Sequence, residues 1–274
     1  MIPSSDLGDI SRTIVLVGAG KMGAAMLQGW LARGLDPAKL VVIEPQPAEE
    51  ILELSLRGVA INPATNGEAG AIVIAVKPQV AGAVVPPLAK ITGPATTVVS
   101  IMAGKTLAFL EGTLPNAAIV RAMPNTPAAI GRGITVAVPN ARVNDAQRNL
   151  AHRLLAATGK VEWINDEALM DAVTAVSGSG PAYVFLLAES LARAGVAAGL
   201  PPELAARLAR ETVAGSGELL YRSPLDPATL RENVTSPGGT TAAALEILMA
   251  ADGLDPLLAR AIAQAAKRSR ELAG

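Results

Sequence analysis

Several residue types are absent or rare in this sequence, and each absence excludes a class of site or partner. It contains no cysteine and a single histidine, His152, which excludes disulfides and leaves no ligand set for a thiolate or histidine metal site, so we expect no metal. Only six of its 274 residues are aromatic, and 23 basic residues face 24 acidic ones. A nucleic-acid binder normally shows a basic patch and aromatic stacking platforms, so we expect no nucleic-acid partner.

Long apolar runs are also missing. The longest stretch without a charged residue covers 172–188, and it is interrupted by Ser177-Gly178-Ser179-Gly180-Pro181. A membrane-spanning helix needs about 20 mostly apolar residues, and the first residues do not have the basic-then-apolar order of a signal peptide. We therefore expect a cytoplasmic protein with no membrane partner.

The first 165 residues alternate between strand-like and helix-like periods. Strand-like runs occur at 13–17, 40–43, 71–76, 96–102, 118–123, 134–138 and 161–164. Segments with helical spacing between them include 22–32, 48–56 and 145–157. This alternation predicts an α/β domain with a mainly parallel sheet, in which 71–76 is a central strand. We expect 118–123 and 134–138 to pair as antiparallel edge strands.

After residue 165 the strand-like runs stop and long helical patterns follow, at 167–176, 182–198, 202–221, 240–251 and 255–273. We predict two domains, a Rossmann-like dinucleotide-binding domain at 1–165 and an all-helical domain at 166–274. The helix at 182–198 is apolar over much of its circumference, and such a helix must be buried. The pattern therefore predicts oligomerisation.

The strongest motif follows the first strand directly. Gly18-Ala19-Gly20-Lys21-Met22-Gly23 lies between a strand and a helix, which is the setting of a dinucleotide-binding fingerprint. Glu44 ends the second strand, 21 residues after Gly23, where an acid binds the 2′-hydroxyl of NAD and repels a 2′-phosphate. The motif predicts NADH or NADPH as cofactor, and Glu44 favours NADH.

Two further strand ends should border the nicotinamide, because ligands bind at the carboxyl ends of parallel strands. Ala75-Val76-Lys77-Pro78 closes one predicted strand, and Met102-Ala103 closes the next. Lys77 is either a proton donor or a residue whose backbone shapes the cofactor wall, and we favour the second. The loop Arg121–Pro127 either faces the site or turns the chain.

Two glycine-rich segments begin helices in the second half, Ser177–Tyr183 and Ser236–Thr241. Small hydroxyl residues and backbone N–H groups at a helix start can cradle an anion, although each segment can also be an ordinary helix cap. Together they predict a carboxylate-binding pocket facing the nicotinamide.

These segments resemble the Δ1-pyrroline-5-carboxylate reductase family, most specifically in the run Leu230–Leu245 and in Asp171–Tyr183, Ala75–Pro78 and Met123–Pro127. The resemblance implies a Rossmann domain followed by a helical dimerisation domain, often assembled as five dimers. It implies hydride transfer from NAD(P)H to the imine carbon of 1-pyrroline-5-carboxylate, giving L-proline. The family often has Ser, Asn or Arg where this chain has Glu44.

The resemblance also implies roles for individual residues. Ser236 and the N–H groups of Gly239, Thr240 and Thr241 would bind the substrate carboxylate, and the Thr241 hydroxyl would lie beside the ring nitrogen as the catalytic group. Glu167 would contact the substrate, and Asn233 and Asn66 would contact the cofactor.

Two alternatives remain open: a related NAD(P)-dependent hydroxyacid dehydrogenase or imine reductase, and a non-catalytic dinucleotide-binding sensor. A hydroxyacid dehydrogenase joins similar halves but generally needs a lysine or similar base; no lysine occurs between 161 and 266, although Lys77 keeps that hypothesis alive. A dinucleotide-binding sensor without turnover is the second, because a fold alone does not imply chemistry.

Overall fold

The computed structural model describes residues 6–64 and 67–273. Its central feature is an eight-stranded sheet in the order β3-β2-β1-β4-β5-β6-β7-β8. The strands are β1 (Ile14–Val17), β2 (Leu40–Ile43), β3 (Ala60–Ile61), β4 (Ala71–Ile74), β5 (Thr97–Ser100), β6 (Ala118–Met123), β7 (Gly133–Pro139) and β8 (Gly159–Trp163).

The six strands β1–β6 are parallel, β7 pairs antiparallel with β6, and β8 pairs parallel with β7. The predicted antiparallel pairing of 118–123 with 134–138 is confirmed. The prediction that these two are edge strands is wrong, because β8 lies outside β7. The short strand β3, at the other edge, was not predicted.

Apolar layers cover both faces of the sheet. β1 and β4 are buried at every position, as continuous apolar runs of central parallel strands predict. One layer contains the side chains of Leu27, Trp30 and Leu154, and the layer on the other face contains Leu88 and Leu110. This confirms the expected α/β arrangement and leaves the carboxyl ends of the strands as the place for a ligand.

The α-helices are interspersed with short 3₁₀ segments. They are α1 (Lys21–Ala32), α2 (Glu49–Glu53), α3 (Ala81–Val84), α4 (Leu107–Thr113), α5 (Asp145–Ala156), α6 (Met170–Val173), α7 (Gly180–Ala197), α8 (Pro202–Arg222), α9 (Pro227–Asn233), α10 (Thr240–Leu248) and α11 (Leu254–Ala273). The segment predicted as one helix over 167–176 is instead a 3₁₀ turn, α6 and a π-helix over Thr174–Gly178.

By its contacts the chain forms two units. Unit 1 comprises residues 1–178 and 266–274, and unit 2 comprises 179–265. The domain boundary expected between 165 and 166 stays a prediction. Unit 2 contains α7–α10 and the first part of α11 and, over the described residues, no strand. Across the described chain, no helix combines the length and apolar character that crossing a membrane requires.

Candidate active site

The loop between β1 and α1 has the backbone that the glycine motif predicts. Gly18 has a φ of +94°, and a Cβ there would lie 2.9 Å from the Ala75 carbonyl oxygen. A Cβ on Gly23 would collide with the Gly18 carbonyl oxygen, whereas one on Gly20 would meet nothing within 4 Å. The loop therefore leaves open space at Gly20, where a pyrophosphate must approach the backbone.

The start of α1 is suited to an anion. Gly20 precedes the helix, no side chain caps it, and no acidic residue occurs in its first turn. The first N–H groups of a helix have no partner within the helix, and they carry a partial positive charge. These residues therefore fit the diphosphate of a nicotinamide dinucleotide.

The expected cofactor residues meet around one cleft of about 460 Å³ in unit 1. Its walls come from the loops that follow β1, β4 and β5 and from the end of β6. Nine of the predicted residues line it: Gly20, Lys21, Met22, Ala75, Val76, Lys77, Pro78, Met102 and Ala103. Ile101, Met123 and Pro124 complete the wall and were not among the predicted site residues. The loop after β6 thus borders this cleft, which the sequence left undecided.

The cleft has a cationic lining. Lys21 and Lys77 lie on it, and none of the described residues around it is acidic. Both lysines are exposed, and Lys77 also precedes the 3₁₀ turn Pro78–Val80. The two lysines add positive charge to the cleft, which increases its attraction for phosphate.

Glu44 lies at the end of β2 and contacts the glycine loop. Its Oε2 accepts a hydrogen bond from the Ala19 N–H at 2.9 Å. This bond directly joins the residue predicted to bind the ribose to the glycine loop. Asn66, the other residue expected near the adenosine, lies outside the described residues.

Glu167 is held from two sides. Its Oε1 accepts from Arg121 Nη1 at 2.6 Å and from the Leu107 N–H at 2.8 Å. Arg121 is nearly buried on β6, and about a quarter of the Glu167 side chain is exposed. Both bonds use Oε1, so a contact of Glu167 with substrate would have to use Oε2.

The predicted carboxylate-binding residues lie in unit 2. Thr240 and Thr241 open α10, which has no side-chain cap, so their N–H groups lack partners within the helix. The Gly239 N–H already donates to the Ser236 carbonyl at 3.0 Å, and this bond closes the turn before the helix. Asn233 ends α9 and is exposed.

Known proteins with similar sequences cover nearly the whole chain. A pyrroline-5-carboxylate reductase of Pseudomonas aeruginosa is 41% identical over 95% of this chain and 96% of its own length. The chain belongs to the pyrroline-5-carboxylate reductase family. The family enzyme of Synechocystis is 40% identical over 96% of this chain and 99% of its own.

Solved structures of the pyrroline-5-carboxylate reductase family have the same fold. The enzyme of Coxiella burnetii matches with a TM-score of 0.89 at 33% identity, covering 97% of this chain and 100% of its own. The Plasmodium falciparum enzyme, solved with NADP bound, matches with a TM-score of 0.79 at 30% identity, covering 96% of this chain and 99% of its own.

Two family models divide the chain between them. The model for pyrroline-5-carboxylate reductase dimerisation matches residues 167–272, and the model for NADP oxidoreductase, coenzyme F420-dependent, matches residues 13–104. The predicted fold class, a Rossmann-like domain followed by an all-α dimerisation domain, is confirmed, as is the resemblance on which it partly rested.

Proposed function

We propose that this chain reduces 1-pyrroline-5-carboxylate to L-proline with NAD(P)H, the last step of proline synthesis. The observation that carries the proposal is the cationic cleft at the strand ends, found in a chain of this family. The cleft and the start of α1 fit the cofactor, and the start of α10 fits a small carboxylate.

The reaction adds a hydride to the imine carbon, which becomes C5 of proline, and the ring nitrogen becomes an amine. The reduced nicotinamide, when bound, supplies the hydride. A cyclic imine can arrive already protonated, so the protein does not need a strong general acid. Its residues must instead hold the ring in place and keep a hydrogen-bond donor at the nitrogen.

We assign these tasks to the residues around the start of α10. The hydroxyl of Ser236 and the N–H groups of Thr240 and Thr241 bind the substrate carboxylate, and Gly239 shapes the turn that presents them. The Thr241 hydroxyl donates a hydrogen bond to the ring nitrogen. Glu167 contacts the substrate through the carboxylate oxygen that Arg121 leaves available.

The cofactor is assigned to the glycine loop and the cleft. In this proposal the backbone of Gly18–Gly23 holds the diphosphate, Glu44 and Asn66 face the adenosine, and Asn233 makes a further contact. The remaining contacts come from the wall residues Ala75, Val76, Lys77, Pro78, Met102 and Ala103.

We further propose that 1–165 forms the dinucleotide-binding domain and 166–274 the dimerisation and substrate-binding domain. The dimerisation match and the exposed apolar residues of α7 support a homodimer, and we extend this to a decamer of five dimers. The place of the reaction in amino-acid synthesis favours the cytoplasm.

The test follows NADH and NADPH absorbance in separate assays after addition of 1-pyrroline-5-carboxylate. Oxidation in either is expected. No oxidation in both, by folded protein that still binds cofactor, would overturn the substrate assignment. Stabilisation against heat by proline in the presence of cofactor provides a second check, because only a ligand of the folded state stabilises it.

Replacement of Thr241 tests the role of its hydroxyl. Thr241→Ala is expected to lower kcat/KM by roughly 10- to 10⁴-fold, the range of positioned proton donation. Thr241→Ser keeps a hydroxyl and serves as the matched control, with most of the activity retained. Equal kcat/KM values for the two variants would remove the hydroxyl from the mechanism.

A further inference from the structure

The carboxylate of Glu44 is anchored by backbone donors at both of its oxygens. Oε2 accepts from the Ala19 N–H at 2.9 Å, and Oε1 accepts from the Gln46 N–H at 3.1 Å. Glu44 is half-buried. The charge at the end of β2 is therefore held at a fixed point against the glycine loop.

Asn62 holds the backbone of the same residue. Its Oδ1 accepts from the Glu44 N–H at 2.9 Å, and its Nδ2 donates to the Glu44 carbonyl at 2.8 Å. The Asn62 N–H donates to the Val42 carbonyl at 2.8 Å. Three hydrogen bonds thus join Asn62 to the end of β2.

The conformation of Asn62 supports a specific role. Its φ is +48°, and among the described residues it is the one non-glycine residue with a positive φ. Asparagine tolerates this region better than most residues. The reciprocal pair between the Asn62 amide and the Glu44 backbone occurs together with this conformation.

The anchored carboxylate still has acceptor capacity for a ribose. An ionised carboxylate offers about four lone-pair sites, and the two backbone donors use two of them. The remaining sites can accept protons from two vicinal hydroxyls. They cannot accept from a 2′-phosphate, which has no donor when ionised and carries the same sign of charge.

The segment that follows β2 supplies no compensating cation. Residues 44–53 contain four glutamates and neither lysine nor arginine. Among the ion pairs of the described residues, none includes Glu44. A 2′-phosphate placed beside Glu44 would therefore meet a like charge that no residue of 44–53 offsets.

We propose that Glu44, held by Asn62 as its positioning residue, makes this chain select NADH over NADPH. The proposal rests on the proposed function only in requiring a nicotinamide dinucleotide at the glycine loop. The Plasmodium relative was solved with NADP bound, so the selectivity would be a property of this chain's own residues. Like-charge repulsion at a protein surface is worth on the order of a 10- to 100-fold difference in affinity.

The experiment measures the Kd values of NADH and NADPH from the change in their fluorescence on titration, without substrate. The wild-type protein is expected to bind NADH about 10- to 100-fold more tightly. Glu44→Gln removes the charge and one of the two acceptor oxygens, so NADPH affinity should rise by about 10-fold and NADH affinity should fall.

Asn62→Gly separates positioning from folding, because glycine accepts the positive φ and removes only the amide. The ratio of the two Kd values should fall several-fold, mainly through weaker NADH binding. Asn116→Gly makes the same change before the amino end of β6, far along the strands from the glycine loop, and should leave the ratio at the wild-type value. Urea unfolding of each variant reports stability separately.

Three results would overturn the proposal: tighter binding of NADPH by the wild type, an unchanged ratio in Glu44→Gln, or an unchanged ratio in Asn62→Gly. Its failure is distinguishable from failure of the proposed function. NADPH-preferring reduction of 1-pyrroline-5-carboxylate would overturn only the selectivity, and NADH-selective binding without reduction would overturn only the reductase.

Discussion

At the scale of single residues, two glycines of one loop have opposite requirements. Gly23 has no space for a Cβ because the Gly18 carbonyl oxygen occupies it, whereas Gly20 has open space. Gly23 therefore serves the packing of α1 on the sheet, and Gly20 serves the approach of a ligand.

Alanine at each position should separate these roles. Gly20→Ala is expected to keep the wild-type Tm and to weaken NADH binding, since the added methyl group enters the space of the diphosphate. Gly23→Ala should weaken NADH binding and also lower the Tm, because the backbone must shift to make room for the added methyl group. Thermal unfolding and cofactor titration of both variants measure this, and equal behaviour would contradict the assignment.

His152 is also explained at this scale. Its Nδ1 accepts a hydrogen bond from Trp163 Nε1 at 3.2 Å, and the Arg148 guanidinium lies 4.5 Å from the centre of the Trp163 ring. Burial lowers the pKa of His152, the charge of Arg148 lowers it further, and Glu162 opposes them. The folded protein therefore favours the neutral imidazole, and the bond from Trp163 gives His152 a structural role.

This predicts a loss of stability in weak acid. Below its ordinary pKa of 6.5, His152 takes up a proton in the unfolded chain before it does so in the folded one. The free energy of unfolding should therefore decrease as the pH falls from about 6.5 through the folded pKa, and this contribution should be constant above about pH 7.5. Urea unfolding between pH 8 and 5.5 measures it.

His152→Gln is the control for that series. Glutamine keeps an oxygen acceptor for Trp163 and does not titrate. The decrease between pH 7 and 5.5 should become smaller in the variant, and a decrease of the same size would assign the effect to other groups.

At the scale of elements, α7 shows apolar side chains around its surface. Val184, Phe185, Leu186, Leu187 and Leu191 are each 42–62% exposed, and none of its residues is buried. Exposed apolar clusters of this kind mark protein interfaces. The match to a dimerisation model over the same region supports another subunit as the covering surface.

A charge on this helix should therefore dissociate the oligomer. Leu187→Asp is expected to shift the molecular mass measured by light scattering toward the monomer, because an interface core does not tolerate an unpaired charge. Leu56→Asp places the same change at an isolated leucine that is 89% exposed, and its mass should remain that of the wild type. Unchanged mass for Leu187→Asp would exclude α7 from the interface.

How much of these elements the sequence could predict depends on the length of the periodic signal. The four-residue apolar run at Ala71–Ile74 and the 12-residue α5 are predicted because their patterns extend over a full strand or several turns. β3 has two residues, too few to show alternation. The π-helix over Thr174–Gly178 shares its composition with an α-helix, so sequence periodicity does not distinguish them.

The candidate site was also predictable only where a sequence pattern extends over a whole element. The glycine loop and the strand ends are predictable because the parallel sheet dictates where its carboxyl ends meet. Met123 and Pro124 were not selected because a Pro-rich loop can also simply turn the chain. The partnership of Asn62 with Glu44 depends on a side-chain amide 18 residues away, which no local pattern signals.

At the scale of the whole molecule, the chain leaves unit 1 after residue 178 and rejoins it at 266. The returning segment is attached by a specific contact: Ser269 is 7% exposed, and its Oγ donates to Asp171 Oδ1 at 2.6 Å. This bond joins the end of α11 to α6 within unit 1.

Ser269→Ala should therefore destabilise the protein although it lies outside every proposed site. A hydrogen bond to a charged acceptor contributes about 1.5–3 kcal/mol, and the free energy of unfolding in urea should fall by up to that amount. The NADH Kd of the folded variant should not change. A stability equal to that of the wild type would show that the bond contributes nothing net.

The returning segment has a consequence for biosynthesis. The 87 residues of unit 2 are translated between the two parts of unit 1. At 5–20 residues per second, the ribosome spends about 4–17 s on them. During that interval the sheet has been synthesised without the end of α11 that bonds to α6, whereas unit 2 is already whole when the last turns of α11 appear. The synthesis of unit 2 is therefore complete before that of unit 1.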